Sequence, residues 1–457
     1  MSSPRLAGVT PAFPAQPLLL AALSMATISF VRPAQANGIY RDGAGARSMA
    51  LAGTEVGLEN DPISALHSNP AALRSSSSTT LQLGAVGGLA TGNFSNAANS
   101  DGHLSDKVEA GPEFGLALPV GSGPLTLGLG FIPDAALNAD WKYVDAPGGL
   151  GGTTSYGLQQ QRSEITVLRT ALGFGLSLTD RLAIGGSLGI VYNENSLKAP
   201  YIFQSHPVLK GFKTLLDLET SGVGFNGNVG VIYRPLDSLT LSLSYQTETS
   251  VDSKGSASGN AGTQLTNLGG PFASVRPDFR YDALVANVFP QSVSGGVSWQ
   301  ANARWRLAVQ VDWINWSDAF DELPIHLTSG NNADLNGFLG TSSIDDTVPL
   351  HWRDRVVFRT GVEFKATQEL TLRAGYAFGD SPVPAATLLP LTAAIARHTV
   401  STGLEWWHGH FSVVGAYQYD LPMAMTVAVS DLQAGEYSNS RTEVGIHWFG
   451  LTTGYQF

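Results

Sequence analysis

LAIGGSLGIVY, residues 182–192, reads with a period of two. Leu182, Ile184, Leu188, Ile190 and Tyr192 share one face of an extended chain. Ala183, Gly185, Ser187 and Gly189 share the other. Side chains of a strand alternate between faces, so this is a strand with one apolar and one small, polar face. The pattern recurs along the chain. Leu239, Leu241, Leu243 and Tyr245 interleave with Thr240, Ser242, Ser244 and Gln246. Phe449, Leu451, Tyr455 and Phe457 oppose Gly450, Thr452, Gly454 and Gln456. Several runs are longer than the five or six residues of an ordinary soluble strand and match the roughly 9–11 needed to cross a bilayer.

Continuing the alternation places Asp312, Arg355, Arg359, Glu363, Arg373, Glu405 and Asp420 on the polar faces. A soluble sandwich would turn such charges to water. A membrane barrel turns them to its lumen and its apolar face to lipid. Trp141, Tyr143, Trp313, Trp316, Trp352, Trp406, Trp407 and Trp448 fall near strand ends, where interfacial girdles are expected.

Composition narrows the classes. The 457 residues include 52 glycines and no cysteine, with 14% charged residues and a net charge of −11. A disulfide scaffold is excluded, and nucleic acid is a poor partner for so acidic a chain. The apolar run Leu18–Val31 follows Arg5 and precedes Ala34-Gln35-Ala36. This reads as a secretory signal over residues 1–36, with a retained anchor as the alternative.

Six short connections separate apolar runs: Pro119–Pro124, Thr179–Arg181, Leu236–Ser238, Ala301–Arg304, Ala366–Glu369 and His408–His410. Long stretches alternate with them, at 144–160, 193–217, 250–287, 321–350, 379–397 and 422–440. Short periplasmic turns and long outer loops are the asymmetry of outer-membrane barrels. Twelve paired strands plus one at each end give an all-β fold, a 14-stranded antiparallel transmembrane barrel over residues 79–457. Residues 37–78 do not alternate. They read as a hatch folded back into the lumen, or as a loose periplasmic tail.

Several motifs invite a chemical reading that their context denies. Gly185–Gly189 matches a nucleophile elbow but lies inside a strand, where the elbow needs a strand-to-helix turn. Gly222–Gly227 matches a dinucleotide loop but is followed by more strand. His408 and His410 flank a glycine in a tight turn, without the further ligands of a metal site. The expectation is no enzyme, no cofactor and no metal.

Asn69-Pro70-Ala71, with the preceding Gly43–Gly53 and Glu59–Asp61 stretches, resembles the hatch of the FadL family of outer-membrane transporters. His351-Trp352-Arg353-Asp354, the strand Leu370–Phe378 and Asp380-Ser381-Pro382-Val383 resemble that family's C-terminal block. Tyr455-Gln456-Phe457 is similar to the terminal assembly signal that outer-membrane barrels share. The hatch has Ala72 where many relatives have Gly, and the loops match poorly.

The resemblance implies passive uptake of a hydrophobic small molecule, with long-chain fatty acid as the default and aromatic or alkane hydrocarbon as the rival. An outer-membrane enzyme, a pore or an adhesin are alternatives of other classes. The implied partners are the ligand, outer-membrane lipid and the barrel-assembly machinery, for a monomer. The resemblance also implies lateral exit where the third strand kinks. Here that strand is read as Leu125–Phe131 followed by Pro133, which marks either a kink or the start of a loop. For a carboxylate head, Arg353 stands where relatives carry a basic residue. Arg169, Arg359 and Arg373 are lumen-facing alternatives, each with a structural network among Glu164, Glu363, Glu405 and Asp312 as the favoured reading over a ligand role. Phe203, Phe212 and Leu216 are candidate apolar contacts in an outer loop, or loop residues packing on one another.

Overall fold

The computed structural model describes residues 39–105 and 107–457. The signal read over residues 1–36 lies outside the described residues, as do Asn37 and Gly38.

Fourteen strands close into one antiparallel barrel. The first five are β1 (Thr80–Asn96), β2 (Asn99–Leu104 and Val108–Pro119), β3 (Leu125–Val144), β4 (Leu158–Ser177) and β5 (Leu182–Ile202). Next come β6 (Lys213–Leu236), β7 (Leu239–Gln246 and Thr249–Asn260), β8 (Asp278–Phe289 and Ser292–Gln300) and β9 (Trp305–Ile314 and Glu322–Thr328). The last are β10 (Ile344–Pro349 and Arg355–Lys365), β11 (Leu370–Gly379), β12 (His398–His408), β13 (Phe411–Val427) and β14 (Ser440–Gln456). β14 pairs back onto β1, from Thr80↔Gln456 to Ser95↔Arg441. Closure removes the sheet edges, whose unpaired backbone groups lipid cannot satisfy.

The alternation is realised as read. Leu188 is 76% exposed and Phe225 71%, on the outer face. Arg359, Arg373, Glu405 and Asp420 are buried inside. The six short turns all lie at one end.

Three expectations need correction. The long loops are shorter than read: β5 continues to Ile202, β6 starts at Lys213, and β7 and β8 extend to Asn260 and from Asp278. Segment 321–350 is largely a hairpin of Glu322–Thr328 against Ile344–Pro349. Beyond the bilayer a strand no longer needs an apolar outer face, so its period disappears from the sequence while its ladder persists. The girdle reading also fails for Trp141, Tyr143, Trp316, Trp352 and Trp448, all buried. Strand parity points Trp141, Tyr143 and Trp448 inward, where Trp141 donates to Pro390 O at 2.9 Å and Trp448 to Asp420 Oδ2 at 2.6 Å, while Trp316 and Trp352 pack together outside the strands. Trp406 is exposed among the named set, as are Trp299 and Trp305 near the 301–304 turn. Finally, the third strand does not stop at Phe131. It bulges between Pro133 and Ala135 and continues to Val144.

Residues 39–78 form two short helices, α1 (Gly45–Met49) and α2 (Pro62–His67), and a 3₁₀ turn at Pro70–Ser75. Asp61 caps α2, with its side chain accepting from Ser64 N at 3.2 Å. Pro62 and Pro70 occupy first-turn positions, where a missing N–H costs nothing. The segment packs against inward-facing wall glycines. A Cβ at Gly185 would lie 2.2 Å from Ala71 N, and one at Gly375 would lie 2.2 Å from Leu51 C. The small face read in residues 182–192 is therefore the surface on which this segment sits.

Candidate functional site

The short-turn half of the lumen is polar and ion-paired. Arg359 bridges Asp42 of the N-terminal segment and Asp312 of β9. Arg373 pairs with Glu363 and Glu405, and Arg47 joins Glu405 at 3.0 Å. Arg41 reaches Glu113 at 2.6 Å. Asn69 Oδ1 accepts from Ala71 N, and its Nδ2 donates to Val231 O at 3.3 Å. Asn69-Pro70-Ala71 thereby docks the turn against β5 and β6. Paired charges of this kind tolerate burial that single charges do not.

The long-loop half is different. A cavity of about 150 Å³ lies there, lined by Ile165, Leu197, Leu218, Val285, Ile325, Leu391 and Leu432 among others. Its polar lining includes Glu164, Asn195, Tyr201, Gln204, Glu436 and Tyr437. No Lys, Arg or His is among the described lining residues. Two cations outside the lining pair with its carboxylates, Arg162 with Glu164 and Lys213 with Glu436. Lys213 Nζ lies 2.7 Å from Asp145 Oδ1, 2.7 Å from Glu436 Oε2 and 2.8 Å from Ala146 O. An ammonium has three donors, so all are used. Burial pushes the Glu436 carboxyl up to about 7, opposed by Lys213, and raises Asp145 in the same way.

The cavity roof is stitched by Asp346 on β10. Its carboxylate accepts from Tyr201 Oη, Gln204 N at 2.9 Å and Ser205 N at 2.6 Å. Loop 380–397 closes another side, with Leu388 and Leu391 buried.

The named site residues divide accordingly. Arg359 and Arg373 sit in the ion pairs above. Arg169 pairs with Asp134 at 2.7 Å and donates to His67 O at 3.0 Å. Arg353 is exposed, with its backbone N–H on Pro382 O. None of the four lines the cavity. Phe203, Phe212 and Leu216 pack with Phe279 and Tyr281 beneath the outer loops, beside the cavity rather than in it. Pro133 sits at the β3 bulge, where its O accepts from Arg41 Nε at 2.9 Å. Tyr455 and Phe457 face outward, and Phe457 N donates to Thr79 O. Lys213, Asp346 and Glu436 escaped the sequence reading, and Glu164 entered it only as a lumen partner for an arginine. Loop 380–397 carried a signal: Leu388-Leu389-Pro390-Leu391 is unusually apolar for an outer loop.

The bulge has a counterpart in the wall. The β2–β3 ladder runs from Pro119↔Thr126 to Phe114↔Phe131 and then lapses. It resumes only at Leu104↔Trp141 and His103↔Lys142. Between them, Tyr40 bridges Ala135 from inside.

A closed 14-stranded barrel with a segment packed in its lumen and an apolar cavity above defines an outer-membrane channel. Residues 25–457 match the family described as outer membrane protein transport protein (OMPP1/FadL/TodX), and the chain belongs to that family. The family transports hydrophobic compounds across the outer membrane. The Escherichia coli K12 long-chain fatty acid transport protein is 24% identical over 164 residues, which are 35% of this chain and 33% of that protein. The Pseudomonas putida toluene transporter TodX superposes with a TM-score of 0.73 at 22% identity, covering 92% of this chain and 100% of that one. A Pseudomonas aeruginosa FadL homologue gives 0.72 at 16% identity, over 92% and 100%.

Proposed function

We propose that this protein takes up small neutral hydrophobic molecules, of about monoaromatic size, and releases them sideways through the wall between β2 and β3. The carrying observation is the cavity lining. It is apolar, it holds two carboxylates, and it lacks a cation among the described residues. A fatty-acid carboxylate would face Glu164 and Glu436, whose cations Arg162 and Lys213 are already paired with them and lie outside the lining. A neutral ring meets no such penalty, and a dry cavity of order 150 Å³ suffices for benzene. Each buried CH₂ contributes about 0.8 kcal/mol.

The relatives named above include both a long-chain fatty acid transport protein and a toluene transporter, and the lining favours a ligand of the second kind. The packed N-terminal segment acts as a plug that excludes ions. Pro133 acts as the kink that draws β3 away from β2.

Native mass spectrometry of the detergent-purified protein, offered toluene, oleate and hexadecane together, tests the ligand. Saturable toluene retention is expected. Preference for oleate restores the fatty-acid reading, and retention of none rejects the cavity as a ligand site.

A further inference from the structure

Where the β2–β3 ladder lapses, side chains cross the opening instead. Asn138 Nδ2 donates to Glu109 Oε1 on β2 and to Glu164 Oε1 on β4, the latter at 3.1 Å. Lys107 Nζ, in the break between the two pieces of β2, lies 2.7 Å from Asp140 Oδ2. Asp140 Oδ1 accepts from Gln160 Nε2 on β4 at 2.8 Å. Two side-chain rungs thus span β2, β3 and β4 at the level where backbone rungs between β2 and β3 are missing.

These groups are not there to satisfy the broken backbone. Around the bulge that task falls to Arg41, on Pro133 O and Asp134 O, and to Ser105 N, on Asp140 O. The rung side chains bond to one another across the gap. Glu164 also lines the apolar cavity, whereas Glu109, Asn138, Lys107 and Asp140 line a space of about 10 Å³ in the opening. That space is no larger than one water needs. Asn138 and Glu164 face each other on the intact β3–β4 ladder, so Asn138–Glu109 and Asp140–Lys107 are the contacts that cross the opening, and Glu164 joins that crossing to the cavity lining. Glu164 keeps Arg162 as a partner when Asn138 lets go, and Glu109 can be resolvated once it swings out.

We propose that Glu109–Asn138–Glu164 and Lys107–Asp140–Gln160 form a latch across the wall opening, and that parting it sets the rate at which a cavity-bound molecule leaves. This rests on the cavity and lateral route proposed above. Asn138 and Glu109 are gating residues rather than ligand contacts.

The chain has no cysteine, so Glu109→Cys/Asn138→Cys introduces the only two thiols. They are joined by a short bis-methanethiosulfonate linker that reductant cleaves. Radiolabelled toluene uptake is followed in cells producing the full chain and no relative. Toluene retention is followed by native mass spectrometry, and heat-modifiable gel mobility reports folding.

Linking is expected to cut uptake at least tenfold, leave retention unchanged, and be reversed by reductant. Asn138→Asp puts a carboxylate against Glu109 and against the Arg162-paired Glu164, and should speed uptake several-fold at unchanged retention. Uptake that persists through complete linking overturns the latch alone. An Asn138→Asp uptake rate equal to the parent's, in a folded barrel, also overturns it. A parent protein that retains no toluene overturns the ligand assignment and, with it, the latch.

Discussion

The two halves of this lumen use the same wall for opposite purposes. At the short-turn end the wall presents glycines and paired charges, and a backbone segment packs onto it at van der Waals contact. At the long-loop end it presents Leu, Ile and Val around an empty space. The first half loses its function if a gap opens, and the second has none unless a gap exists. Ion pairs suit the first task because they fix one geometry: Arg359 needs Asp42 and Asp312 at once. Apolar contacts suit the second, being non-directional and tolerant of ligand shape.

The comparison can be broken most severely by removing the packed segment. Deleting Ile39–Ser78 should leave a folded barrel with large single-channel conductance in planar bilayers; a deletion variant that stays as tight as the parent ends the plug assignment. Gly185→Val should act on the same half less drastically. Its Cβ would meet backbone at Ala71, and such overpacking costs about 1–3 kcal/mol. Raised conductance with intact toluene retention is expected, and loss of retention instead would mean that the halves are not independent. Leu391→Trp is the converse. It fills the cavity and should weaken toluene retention about tenfold, equivalent to roughly 1.4 kcal/mol, with no added conductance.

The smallest effect concerns the loops over the cavity. Glu436 is raised from 4.5 to about 7, chiefly by burial, with Asp145 adding to the rise and Lys213 opposing it. The closed loops therefore hold this proton more tightly than opened loops do. Their stabilisation is complete below about pH 4.5 and is lost as pH rises through 7. Raised Asp145 acts in the same sense. Amide exchange in residues 428–439, corrected for its intrinsic rate, should be modestly faster at pH 8 than at pH 5, and Glu436→Gln should shrink the difference to the part that Asp145 carries. Exchange that slows with pH after correction for its intrinsic rate would contradict the assignment.

Much of this was legible in one dimension because the membrane imposes it. Lipid outside and a packed lumen inside force a period of two, so strand number, turn placement and the inward charges could be read from residues such as Leu188, Gly185 and Arg359. The interior tryptophans show the limit. Trp141 and Trp448 stand near strand ends, but only their parity within the closed barrel says that they face inward. The outer strand extensions were invisible because water makes no demand on their faces. The glycines were visible and underread. A wall face kept this small, at Gly185, Gly230 and Gly375, is the signal of something packed against it.

Alternation is a local, periodic consequence of a two-sided solvent, so the barrel was readable along the chain. What the interior does was not, because it depends on partners far apart in sequence. Arg169 and Asp134 are 35 positions apart and Lys213 and Glu436 are 223 apart, and whether a cation is free or spent depends on which carboxylates the fold brings beside it. The same holds for the wall opening. Pro133 announces an irregular strand, but that Glu109, Asn138 and Glu164 meet across the lapse follows from the register of three strands, which no single segment contains.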